Sequence, residues 1–134
     1  MRCAPGFGAI LQRMRDFQKI IAWQKAHALG VRLDDFVDPV RFRKRPALRA
    51  QLLRAMDSVS AAISEGAGKP SRAEFLRYLD IALGSAREAH NHLLKARDIR
   101  CMDFKDAQRL IDELDEVKRL IYAYARAIRE APPD

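Results

Sequence analysis

The side chains most able to do chemistry in this 134-residue chain are cationic and crowded together. Arg41, Arg43, Lys44, Arg45 and Arg49 lie close in sequence, interrupted by Phe42, and Arg54 follows on the next helical segment. Guanidinium and ammonium groups at this density suit the oxygens of a phosphate backbone, which they grip without reading bases. A plain solvated basic loop would look the same. The balance over the whole chain leans the same way, with a formal net charge of +7. Residues 1–72 hold 14 Lys/Arg against 6 Asp/Glu, and residues 73–134 hold 11 against 12. An excess confined to one half points to an anionic partner, nucleic acid first among them.

Other chemistry finds little support. Gly66-Ala67-Gly68-Lys69-Pro70-Ser71 has the look of a phosphate loop but lacks its chemistry. The first glycine of such a loop would fall at Ile63, Pro70 stands where a magnesium-binding hydroxyl is needed, and no strand precedes it. His27, His90 and His92 form no i,i+4 pair, and no Glu-x-x-His occurs, since Glu74 and Glu88 are followed three places on by Arg77 and Asn91. Neither a metal nor a cofactor is expected. Cys3 and Cys101 are far apart in sequence and read as reduced thiols of a cytoplasmic protein. Glu65 sits at a helix C-terminus, where a carboxylate is electrostatically disfavoured, so a hydrogen bond to a neighbouring helix or subunit is expected there. Glu65, Arg54 and Ser58 are the only trio a hidden enzyme could use, and the chain is read as having no active site.

These side chains must be positioned by helices. A first amphipathic stretch spans about 17–37, with small or apolar residues at Trp23, Ala26, Gly30, Leu33 and Val37, Asp16 as N-cap and Pro39 beyond its end. A second, about 47–66, begins beside Pro46, carries Leu48, Leu52, Ala55, Val59, Ala62 and Gly66, and should end in a left-handed glycine cap within Gly66-Ala67-Gly68. A third, about 72–99, opens with the capping box Ser71-Arg72-Ala73-Glu74. It repeats Phe75, Leu79, Ala82, Ala86, Ala89, Leu93 and Ala96 at heptad spacing. A fourth, about 104–129, is capped by Asp103 and carries Ala107, Leu110, Leu114, Val117, Ile121, Tyr124 and Ile128. The last two links are short, and short links force antiparallel neighbours. The expected fold is all-α, an antiparallel up-down four-helix bundle over residues 16–131. Residues 1–15 read as a flexible N-terminal extension: Met1 to Arg13 make a poor signal peptide, and Met14 stands just before the first helical pattern. No apolar run approaches the roughly 20 residues of a membrane span.

Several stretches together carry a resemblance. Ala22-Trp23-Gln24-Lys25-Ala26, then Gln51-Leu52, Arg54-Ala55, Ser58 and Ile63-Ser64-Glu65-Gly66, then Ser71 through Leu79 with Ile81-Ala82-Leu83-Gly84-Ser85 and Glu88, follow in order. This pattern resembles the bacterial family of 23S rRNA intervening-sequence proteins, to which accessory proteins of diversity-generating retroelements are related. Two positions depart from it: Ala62 stands where the family often has asparagine, and Asp57 puts a charge where it is usually apolar or small. The resemblance implies an up-down bundle assembled as a homopentamer, with a nucleic-acid role best established in the retroelement branch. On that basis Trp23, Gln51, Ser58, Glu65, Gly66, Ser71, Glu74, Ser85 and Glu88 are candidate structural or interface residues.

The sequence therefore leads to a non-enzymatic homo-oligomer whose basic surface binds structured RNA or DNA. The alternative is an adaptor docking another protein, such as a polymerase, without physiological nucleic-acid binding. Few exposed aromatics are expected for stacking on single strands.

Overall fold

The computed structural model describes Gly6, Gly8 and residues 16–133. The expected extension over 1–15, Cys3 and Met14 with it, lies outside the described residues apart from those two glycines. Four α-helices follow: α1 (Ile21–Leu33), α2 (Pro46–Ala67), α3 (Arg72–Asp98) and α4 (Phe104–Glu130). No strand occurs among the described residues. Helix α2 packs along α3, α3 along α4, and α1 against both α2 and α4.

The core follows the helical stripes. Every member of the α3 heptad row, from Phe75 to Ala96, is buried, as is the α2 row from Leu48 to Gly66. Removing these side chains from water is the main force holding the helices together. Among the described residues no polar or charged residue is buried.

The first helix departs from expectation. Instead of one helix over 17–37, a 3-10 turn at Phe17–Lys19 leads to an extended Ile20, then α1, then a second 3-10 turn at Asp34–Phe36. Asp16 caps the short turn, accepting from the Gln18 N–H at 3.2 Å, and not α1. The N–H of Ile21 instead donates to the Tyr124 hydroxyl of α4 at 3.2 Å, a cap supplied from far along the chain. The buried row of α1 is Ala22, Ala26, Leu29 and Leu33, and Trp23 and Gly30 lie at its edges.

Two of the helix ends also differ. Among the described residues no glycine adopts a left-handed conformation. At the end of α2, Gly68 keeps φ −86°, and its N–H donates to the carbonyls of Glu65 and Gly66. The left-handed residue is Arg100, φ 65°, at the end of α3. There Cys101 N–H donates to Ala96 O at 2.9 Å, closing the helix as a glycine usually would. At the start of α3, Ser71 Oγ accepts from Glu74 N–H at 3.1 Å as expected, but Glu74 takes the Ser71 hydroxyl proton and not its backbone N–H.

Gly66 ends the small-residue row of α2, and that row lets the neighbouring helix come close. A Cβ there would lie 2.6 Å from Tyr78 Cβ and 3.6 Å from the Phe75 carbonyl oxygen, so it is the closest approach of α2 to α3 that requires glycine. Gly84, exposed on α3, has nothing within 4 Å of such a Cβ. Asp57 faces the edge of α1 at Gly30, and partial burial together with the Asp34 carboxylate raises its pKa above the usual range.

Three substitutions test this packing by denaturant and thermal melts. Gly66→Ala should lose about 1–3 kcal/mol through overpacking. Gly84→Ala should gain about 0.5–1 kcal/mol from helix propensity. Because a raised acid pKa penalises the folded state only where the group is ionised, Asp57→Asn should raise Tm at pH 7 and leave it unchanged at pH 3. An unchanged Tm at pH 7 would mean that Asp57 is not strained.

Candidate nucleic-acid interface

The loop between α1 and α2 is built around Phe42, which is 1% exposed. Phe42 N–H donates to Asp38 O at 3.2 Å and Arg45 N–H to Phe42 O at 2.8 Å, while the Asp38 carboxylate accepts from Val40 N–H at 2.9 Å. With its aromatic residue driven into the core, the loop turns its neighbours Arg41, Arg43, Lys44 and Arg45 outward, all exposed. Two of them are tethered by backbone carbonyls. Arg43 donates to Val40 O at 3.0 Å, and Arg41 to Arg100 O at 3.2 Å. Arg49 donates to Val37 O at 2.7 Å in a part-buried position, where it clips the loop to α2.

The Arg41–Arg100 bond joins this loop to the α3–α4 corner. Arg41, Arg43, Lys44, Arg45 and Arg100 share one depression of about 430 Å³ with Ile99 and Cys101. Arg41 and Arg100 also line an adjoining one of about 620 Å³ with Arg97, Asp98, Met102, Asp103 and Phe104. Six cationic side chains thus line the two hollows against two carboxylates. Both carboxylates are engaged: Asp98 accepts from Arg97 Nε at 2.9 Å, and Asp103 caps α4 by accepting from the N–H groups of Lys105 and Asp106. The net field of the corner is therefore positive, as an anion requires.

Sequence reasoning did not reach Arg97 and Arg100, which come from the nearly neutral half of the chain. Arg100 directly follows Ile99, the C-cap of α3, at the position where helices most often place glycine.

Arg54 is set apart from this corner. It lies with Gln51, Ala55, Ser58 and Glu88 in a groove of about 290 Å³ between α2 and α3. Ser85 Oγ donates to Ser58 Oγ at 2.9 Å across that seam, and Glu88 lies 3.4 Å from His92 Nε2. Five residues of the family-like pattern (Gln51, Arg54, Ser58, Ser85 and Glu88) are thereby brought to one face. Glu65 is not, standing roughly 10 Å further along α2 than Ser58 at 1.5 Å per residue. Among the described residues its carboxylate makes no hydrogen bond or ion pair, and the trio Glu65, Arg54 and Ser58 does not converge. Trp23 stacks on His27 with centroids 4.7 Å apart and meets Phe17 edge-on at 5.0 Å.

On the opposite side, His90 Nδ1 lies 2.9 Å from Lys118 Nζ, which also pairs with Asp115 at 2.9 Å. Desolvation first, then the Lys118 charge, holds the His90 pKa below its usual value. A histidine whose folded pKa is depressed is proton-poor in the native state, so stability is full above about pH 6.5 and falls as pH drops below it. His90→Gln should flatten the Tm-against-pH curve between about pH 6.5 and 5. The test is circular-dichroism melts of both proteins over that range, and an unaltered slope would assign the pH dependence elsewhere.

No helix among the described residues is long and apolar enough to cross a membrane. No curated protein matches the chain. It is similar to a solved protein of unknown function from the S23 ribosomal protein family of Bacteroides thetaiotaomicron, with 23% identity and a TM-score of 0.73 over 79% of this chain and 99% of that one. At that identity the likeness speaks for the fold. Residues 18–123 match the family described as 23S rRNA-intervening sequence protein, a span that takes in all of the first three helices and most of the fourth, and the chain belongs to that family.

Proposed function

We propose that this protein is a non-enzymatic, homo-oligomeric helical bundle of the cytoplasm that binds structured nucleic acid through the Arg41–Arg45 loop and the Arg100 corner. The single observation that carries the reading is the convergence of six cationic side chains from two separate chain turns. Arg100 adds weight to it. A left-handed backbone costs a non-glycine residue about 1–2 kcal/mol. Keeping an arginine there, with its side chain in the basic hollow, exchanges stability for charge.

The bundle is read as antiparallel and up-down, because paired residues run in opposite directions along three of its four pairs of neighbours. Between α1 and α4, Ile21 meets Tyr124, Lys25 meets Glu116 and Arg32 meets Glu113. Between α3 and α4, Arg97 meets Gln108, His90 meets Lys118 and Arg72 meets Ala131. Between α2 and α3, Ser58 meets Ser85 and Gly66 meets Tyr78.

Self-association is supported by apolar surface that the single chain leaves open: Ile21, Val31, Ile81 and Tyr122 are each two-fifths exposed or more. Five subunits is the number the family resemblance suggests. Repeating the corner around an axis would multiply weak phosphate contacts.

Light scattering with and without a structured RNA, at low and physiological salt, tests the reading. A particle of about five subunit masses that grows further with RNA is expected. A monomer indifferent to RNA overturns it, and an oligomer whose RNA binding vanishes at physiological salt favours the protein adaptor. Arg100→Gly separates charge from fold. It should raise stability by about 1 kcal/mol while weakening nucleic-acid binding and lowering the salt slope by about one.

A further inference from the structure

Resting on that reading, we infer that the basic corner holds a subsite for an unpaired nucleobase, with Phe104 and Arg97 as the stacking platform and Arg41 and Arg100 as holders of the adjoining phosphates. Phe104 opens α4 and is 60% exposed, although it is a large apolar side chain. Nothing in the core requires an aromatic ring there. The Arg97 guanidinium carbon lies 4.8 Å from the ring centroid and covers part of one side.

Arg97 is not free to grip phosphate as its neighbours are. Its Nε donates to Asp98 at 2.9 Å and its Nη1 to Gln108 Oε1 at 2.9 Å, so the guanidinium plane is held in place. A fixed guanidinium beside an open aromatic ring makes a surface on which a flat base stacks. Arg41 and Arg100 line the same hollow of about 620 Å³. The Arg41 side chain gives one donor to Arg100 O and keeps others for an anion.

The ligand class follows from geometry. In a duplex the faces of the bases are covered by their neighbours, so a ring standing at the surface reaches only unpaired bases in loops, bulges and ends. A basic corner alone would not discriminate paired from unpaired strands. With this platform it prefers the single strand, and its sequence preference is slight because every base offers a π face.

The experiment uses the full chain and a single-stranded oligonucleotide of about 12 nucleotides carrying one 2-aminopurine, compared with the duplex of the same length. Wild-type protein should quench the 2-aminopurine on binding, as stacking does. Phe104→Ala should abolish the quenching and weaken single-strand binding by about 5- to 150-fold, with duplex binding changed less than about twofold, and Phe104→Trp should restore both signals. Helicity and particle mass equal to wild type confirm that the exposed position was changed without loss of fold. If the probe is not quenched, or Phe104→Ala weakens both strand forms equally, the subsite is overturned. The basic-corner reading survives that result provided Arg41→Ala still weakens both forms. If neither strand form binds at physiological salt, the proposed function itself fails, and the subsite with it.

Discussion

The arrangement depends on how closely α2 can lie against α3. Gly66 sets that distance, since a single methyl there would collide with the base of the Tyr78 side chain. The contact at this end fixes the register of two long helices, and the Ser58–Ser85 bond continues it at mid-length. In that register the start of α2 arrives beside the end of α3, where Arg45 and Leu48 share a hollow with Lys95, Asp98 and Ile99. The basic corner is thus positioned by a steric constraint roughly 30 Å away, at 1.5 Å of rise per residue. A slip in the register would separate the α1–α2 loop from Arg100, and the corner would dissolve into two ordinary basic loops.

Collecting like charges works against folding, and the molecule offsets this with apolar anchors and backbone tethers. Burying Phe42 contributes about 1.5–3 kcal/mol, enough to outweigh repulsion between exposed cations spaced by solvent. Arg41, Arg43 and Arg49 each donate to a main-chain carbonyl, which places their charge without neutralising it. An ion pair would have ordered them equally well but removed the field. Elsewhere the surface does use ion pairs, at Lys25–Glu116, Lys118–Asp115 and Arg126–Glu130. Within the corner only Arg97 is ion-paired, to Asp98, and the contrast between the paired flanks and the other five corner cations is what separates this patch from a merely soluble face.

Much of this was legible in the sequence wherever the signal was local or periodic. The α2, α3 and α4 spans agree with the structure to within a residue or two, because Pro46, Ser71 and Asp103 mark their starts and regular apolar rows mark their bodies. The first helix was less legible: its cap is the Tyr124 hydroxyl, more than a hundred residues distant, and no local residue announces the break at Ile20. The left-handed glycine cap did not form, although the small-residue row ending at Gly66 did mark the close contact of α2 with its neighbour. At the site, the loop cations could be read from spacing. Arg97, Arg100 and Phe104 could not, because only folding brings the α3–α4 corner to the loop, and halving the chain by charge assigned those residues to the neutral side. Phe104 in particular reads as an ordinary apolar residue at the start of a helix until its exposure is seen.

Affinity and assembly are linked by the size of the corner. A handful of phosphate contacts at physiological salt yields dissociation constants in the range of about 10⁻⁴ to 10⁻⁶ M, too weak for a lone bundle to hold a specific RNA. Linking several such corners rigidly adds effective concentration without adding a contact, worth about 10²- to 10⁴-fold overall. The apolar residues left open at Ile21, Val31, Ile81 and Tyr122 would serve the proposed association without drawing on Arg41, Arg43 or Arg100. On the proposed reading labour is divided: the helix flanks would build the assembly, while the loop ends carry the charge. In such an assembly the proposed stacking ring at each corner would decide which part of a folded nucleic acid is held, since paired regions would satisfy only the cations and unpaired ones both the cations and Phe104.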